Sequence, residues 1–200
     1  MTSRKTRRGV LKLGGAAVVG VASPAILPAQ EPQEKTQVSD LMAPHVEHLG
    51  SPLPPYEVHV FPDSFRLYWT LPDSFAWTYP IRVGRDDLYE SGQYYVGAKK
   101  EWPSWTPTPG MIEREPEKYE KYADEGMPGG PGNPLGARAL YLFTEDRGDT
   151  FLRIHGTDDP DTIGRAVSNG CAGLVNDHMV SLYKQVPMDT RVVLYPKRPS

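Results

Sequence analysis

Cysteine is almost absent from this chain: Cys171 is the only one in 200 residues. One thiol cannot close an intramolecular disulfide, so it is either buried and inert or reactive. Long apolar runs are also lacking. The run from Leu13 to Leu27 is interrupted by glycine and falls short of the ~20 strongly apolar residues that span a bilayer. Positive charge is scarce beyond the N-terminus. The first 29 residues carry five basic side chains and no acid, which leaves 17 basic against 25 acidic residues in the remainder. That balance provides no electrostatic footprint for nucleic acid or an anionic lipid surface.

Turn formers and aromatics are plentiful instead. The chain has 21 Pro, 19 Gly and 11 Tyr, a load that suits a β-rich fold with many turns rather than a helix bundle. Thr6-Arg7-Arg8-Gly9-Val10-Leu11-Lys12, followed by a short apolar stretch and Pro28-Ala29, resembles a twin-arginine export signal. Residues 1–29 are therefore expected to direct a folded chain out of a bacterial cytoplasm, meeting the membrane only in transit. Residues 30–55 are Gln-, Glu- and Pro-rich and read as a linker. His45 and His48 lack further ligands at metal-site spacing, so no metal is expected.

From Tyr56 short β-branched and aromatic runs alternate with Pro/Asp/Ser/Gly turns. Strands are expected over 57–61, 65–71, 76–83, 93–98, 138–143, 150–155 and 190–195. Trp102 to Pro134 breaks this pattern with prolines, glycines and a charged stretch that has room for one or two helical turns. An excursion of that length in a compact domain reads as a flap beside an active site. Asn176 is the expected cap of a helix that carries Met179, Leu182 and Val186 on one face and stops before Pro187.

The chemistry concentrates in His155 to Asn176. A thiolate nucleophile needs a base close in space. His155 ends an apolar run, and a Gly/Asp-rich stretch separates it from Cys171. Gly170, directly before the cysteine, permits a tight turn whose N–H groups can face a substrate.

His155-Gly156-Thr157 with Ser168-Asn169-Gly170-Cys171 resembles the catalytic motif of the YkuD-type L,D-transpeptidase domain. Segments 102–107, 131–140, 162–167 and 192–194 are similar to stretches found in one branch of that family. The resemblance covers about Tyr56 to Tyr195, giving a domain over 56–196. It implies a mainly β fold, a mixed sandwich or barrel with one helix after the cysteine and a long flap-like loop. It also implies acyl transfer without metal or organic cofactor. In that scheme Cys171 is the nucleophile, His155 moves the proton, and the backbone N–H groups of Asn169, Gly170 and Cys171 form the oxyanion hole. Ser168, Arg165, Trp105 and Tyr141 are candidate substrate contacts. The implied partners are peptidoglycan stem peptides, with release of D-alanine and formation of 3→3 cross-links in the periplasm or cell-wall space. A carbapenem is the implied covalent inhibitor. Two positions depart from the motif. Asn169 stands where His is frequent, and Gly173 stands where Arg is usual, with Arg165 as the candidate replacement. L,D-carboxypeptidase action, attachment of an outer-membrane protein, another Cys–His hydrolase and a degenerate peptidoglycan-binding module are the alternative readings.

Overall fold

In the computed structural model, residues 43–157 and 159–198 are described; the export-signal expectation lies outside them. Eleven strands occur among these residues. β1 (His45–His48), β2 (Val58–Phe61), β3 (Arg66–Thr70) and β4 (Phe75–Pro80) form an antiparallel run. Pro-Asp-Ser segments connect β2 to β3 and β3 to β4, each folding as one turn of 3-10 helix. Proline suits the first position of such a turn because its missing N–H would have no partner there.

β5 (Val83–Gly84) is short, and β6 (Gly92–Glu101), β7 (Arg138–Thr144) and β8 (Gly148–Thr157) form a second antiparallel run. β9 (Ala166–Ser168), β10 (Ala172–Val175) and β11 (Arg191–Leu194) complete the set. The main sheet has the order β1-β4-β3-β2-β11-β6-β7-β8-β10, and β5 pairs with β9 separately. Most pairs are antiparallel, but β2/β11, β8/β10 and β5/β9 run parallel. The fold is thus mainly β with a mixed sheet, as expected. A pure meander would not contain the parallel pairs.

His45–His48 is an edge strand on β4 rather than unstructured linker. The expected strand 76–83 ends at Pro80, and Arg82 instead bridges to Gly173 within β10. Two backbone hydrogen bonds make that bridge, Arg82 N to Gly173 O at 2.8 Å and Gly173 N to Arg82 O at 3.0 Å. The far edge of the main sheet is thereby tied back to the chain that leaves β4.

The flap contains α1 (Pro109–Arg114) and α2 (Pro116–Tyr119). Thr108 caps α1 by accepting from the Met111 N–H. α3 (Asn176–Gln185) follows β10 and buries Met179 and Leu182. Its cap position is Val175, not Asn176. The Asn176 Oδ1 instead accepts the Ala137 N–H at 2.8 Å, which fastens α3 to the start of β7. Val58, Val60, Leu67, Ile81, Val96, Leu140, Ile154, Leu174 and Val192 are fully buried in one continuous core with α3. Alternation along the strands places these side chains on the inner face.

Candidate active site

The parallel pairing of β8 with β10 builds the centre. Ala172 stands opposite Ile154, and Gly173 opposite His155. Cys171 immediately precedes β10, so the cysteine and the histidine are brought to one end of a two-strand ladder. Both line a cavity of about 740 Å³.

His155 is 4% exposed. Its Nδ1 lies 2.6 Å from the Gly156 carbonyl oxygen. A carbonyl only accepts, so Nδ1 carries the hydrogen and Nε2 keeps its lone pair. The orienting acceptor is thus the next residue's own carbonyl. Burial, assisted by the Arg82 charge, lowers the imidazole pKa to about 3. Burial likewise raises the Cys171 thiol, against a hydrogen bond to the Arg153 backbone and the charges of Arg153 and Arg82. Burial thus favours a neutral thiol beside a neutral imidazole. Desolvation disfavours both charged forms together.

Cys171 is half-buried. Its Sγ faces the Phe151 carbonyl at 4.0 Å. Phe151 has φ 62, within β8, where the pairing with β7 shifts register. A non-glycine residue in that region is strained, and such strain clusters at functional sites. The Phe151 side chain is 68% exposed and also lines the cavity.

The turn before Cys171 is tightly held. Gly170 has φ 115, and a Cβ there would stand 2.8 Å from the Leu88 carbonyl oxygen, so only glycine fits. The Ser168 hydroxyl donates to the Cys171 carbonyl at 2.6 Å, and the Ser168 carbonyl accepts from the Arg85 N–H at 2.9 Å. Ser168 thus shapes the turn as well as lining the cavity. The Asn169 side chain donates to the Tyr119 hydroxyl at 3.2 Å and accepts from Arg114 at 3.3 Å. The flap is further clamped by the Arg85–Glu115 ion pair.

Trp105 lines the cavity and meets Tyr119 and Tyr122 edge-on, with centroids 5.9 and 6.0 Å away. Tyr141 also lines it, with the Arg153 guanidinium 3.9 Å above its ring. Arg165 is exposed and lies outside the lining, although its carbonyl accepts from Val83. Arg82 lies in the lining instead. Sequence reasoning missed it because its place depends on a bridge to Gly173, 91 positions on. Arg153, also missed, is fixed by two bonds to Asp149 at 2.6 and 2.8 Å. Its position directly before Ile154-His155 was the only available signal. Among the described residues no group of three or more His, Cys, Asp or Glu side chains could hold a metal ion.

The family model for the L,D-transpeptidase catalytic domain, YkuD, matches residues 55–194. The chain is 34% identical over 203 residues to "Putative L,D-transpeptidase in ATP synthase subunits region ORF 5" of Fuscovulum blasticum, covering 96% of this chain and 98% of that protein. It is 37% identical to "Probable L,D-transpeptidase ErfK/SrfK" of Escherichia coli, covering 64% of this chain but only 40% of that longer relative. Among solved structures, one from Brucella melitensis, named "Probable carnitine operon oxidoreductase caia", is 41% identical with TM-score 0.53 and covers 76% of this chain and 93% of its own. The carbamoyl enzyme of Ldtfm with avibactam has TM-score 0.54 at 16% identity, covering 73% and 51%, a likeness of fold.

Proposed function

The chain belongs to the L,D-transpeptidase catalytic-domain family, and from that premise we propose that Cys171 and His155 carry acyl transfer between peptidoglycan stem peptides, forming 3→3 cross-links. The observation that carries this reading is the β8/β10 register, which sets Cys171 and His155 on one cavity.

His155 Nε2 takes the proton from Sγ as sulfur attacks the carbonyl carbon of the third stem residue, a diaminopimelate or a lysine. The Gly156 carbonyl holds the Nδ1 hydrogen and orients the ring through this step. The resulting oxyanion sits against the backbone N–H groups of Asn169, Gly170 and Cys171. Each such donor contributes about 3 kcal/mol in acyl transfer. Collapse breaks the C–N bond, and the imidazolium returns its proton to the departing D-alanine amine. The thioester is then opened by the side-chain amine of a second stem. That amine gives its proton to His155, which passes it to the leaving sulfur. Water in place of the amine yields an L,D-carboxypeptidase product.

Because burial disfavours both charged forms, the step reads as general-base catalysis, with charge separated only as the bond forms. A carbapenem occupies the same route by acylating Cys171. That proposal is supported, at the level of a related β-lactam class, by a solved fold neighbour, L,D-transpeptidase 3 of Mycobacterium tuberculosis, in complex with an adduct derived from the penem faropenem (TM-score 0.50 at 12% identity). Work on peptidoglycan requires export, for which the Arg7-Arg8 segment supplies the twin-arginine route.

Incubation with disaccharide-tetrapeptide, followed by mass spectrometry of the products, tests the reading. The expected result is loss of one D-alanine with 3→3 dimers, both absent for Cys171→Ala. Loss of D-alanine without dimers would replace cross-linking by hydrolysis or by a different acceptor. No reaction would leave a binding module.

A further inference from the structure

Four cationic side chains line the cavity, Arg82, Lys118, Lys121 and Arg153, and no carboxylate does so among the described residues. The chain as a whole has a formal charge of −3, so the positive lining is a local feature. Three of the four are engaged. Arg153 is paired with Asp149 and stacked on Tyr141. Lys118 stands 3.3 Å from a Glu115 oxygen. The Lys121 ammonium lies 4.9 Å from the centre of the Tyr122 ring.

Arg82 differs. Among the described residues it has no close ion pair, only a longer-range attraction to the Asp159 carboxylate, and its one side-chain hydrogen bond runs to the neutral Thr162 hydroxyl at 3.2 Å. Its Nε is buried and has no acceptor among the described residues. Guanidinium keeps its proton even where burial pulls its pKa down. A partly buried cation whose Nε is sealed off without an acceptor carries a cost and calls for a reason.

The backbone also holds it deliberately. The two bonds to Gly173 fix its Cα, and the side chain crosses the space over Gly173. A Cβ at Gly173 would stand 2.5 Å from Nε and 2.9 Å from Cγ. The absence of a side chain at position 173 is what allows Arg82 to lie beside the nucleophile, where its charge and that of ionised Cys171 attract each other.

We infer that Arg82 recognises the acyl donor by taking one of its free carboxylates, so that the cavity selects stems in which that carboxylate is not amidated. This rests on the reading of the cavity as a stem-peptide site. Two carboxylates share the required chemistry, that of the leaving D-alanine and the second one of the diaminopimelate residue. Guanidinium–carboxylate pairing can be bidentate and is strengthened where water is excluded.

The test is calorimetric binding of tetrapeptide stems to the full chain carrying Cys171→Ala, which prevents turnover. Three stems are compared: unmodified, amidated on D-alanine, and amidated on diaminopimelate. With Arg82 present, one of the two amidations weakens binding at least tenfold and thereby identifies the carboxylate. In Arg82→Gln the unmodified stem binds at least tenfold more weakly, and amidation then changes affinity less than twofold. Arg82→Lys recovers part of the discrimination, and Gly173→Ala behaves like Arg82→Gln. Thermal melting of each variant separates these effects from unfolding. Equal binding of all three stems overturns the inference, as does a uniform loss in Arg82→Gln that leaves discrimination intact. Discriminating binding without turnover by the Cys171 chain supports the role of Arg82 while removing the transpeptidase reading.

Discussion

Gly173 stands directly opposite His155 in the parallel ladder of β8 and β10. This one register fixes the centre. It sets Cys171 at the mouth of β10, leaves room for Arg82 over Gly173, and backs His155 with Ala139 of β7 on its other side. The following expectations depend on it.

His155→Gln should remove acyl transfer while leaving the fold in place. Loss of a positioned general base costs about 10²–10⁴ in rate. The fall should appear in kcat, read from D-alanine release, with little change in stem affinity.

The thiol should be sluggish. Burial raises the Cys171 pKa, so less thiolate is present at pH 7 than for a free cysteine. Iodoacetamide labelling should be slower than for a model thiol and should accelerate only above the ordinary thiol range. The charges of Arg82 and Arg153 favour the thiolate. Arg82→Gln should therefore shift the labelling profile to still higher pH.

Acid should destabilise the fold through His155. Its folded pKa is about 3, below the usual value near 6.5. The unfolded chain then binds the extra proton first as pH falls. Stability should be fully present above pH 6.5 and should decline towards pH 3, with a slope of up to about 1.4 kcal/mol per pH unit from this group. His59 and His178 are also lowered by burial and add to the trend. Denaturant melts across this range should show a shallower decline for His155→Gln.

Asn176→Ala should cost about 1–3 kcal/mol by leaving the Ala137 N–H without its acceptor. Urea unfolding measures it. The joint between α3 and β7 lies beside the chain that carries His155, so activity should fall as well.

Asn169→Ala should loosen the flap. It removes the hydrogen bonds to Tyr119 and Arg114 that link the turn before Cys171 to α1 and α2. Limited proteolysis within 102–134 should accelerate severalfold, with the core unaffected.

The sequence carried the strands well where alternation and turn chemistry agreed, as at Val58–Phe61, Arg138–Thr144 and Arg191–Leu194. β9 and β10 are not legible, because three or four residues, with a glycine inside β10, give no periodicity. The parallel register they create is tertiary, and no local pattern encodes it. Cys171 and His155 stood out because a lone thiol and a histidine at a strand end are rare features. Arg82 did not, because an arginine after Ile81 reads as an ordinary strand residue until Gly173 is seen beneath it. Arg165 attracted attention only by proximity in sequence. Asn176 reads as a helix cap in the sequence, but the cap position is Val175 and the group that Asn176 satisfies is the Ala137 N–H at the start of β7.

The most direct measurement is the intact mass of the full chain quenched during reaction with disaccharide-tetrapeptide, with peptide mapping of any adduct. A mass gain equal to the donor less D-alanine, mapped to Cys171 and absent in Cys171→Ala, is the predicted result. An unmodified Cys171 during D-alanine release, or an adduct on any other residue, would contradict the thioester mechanism.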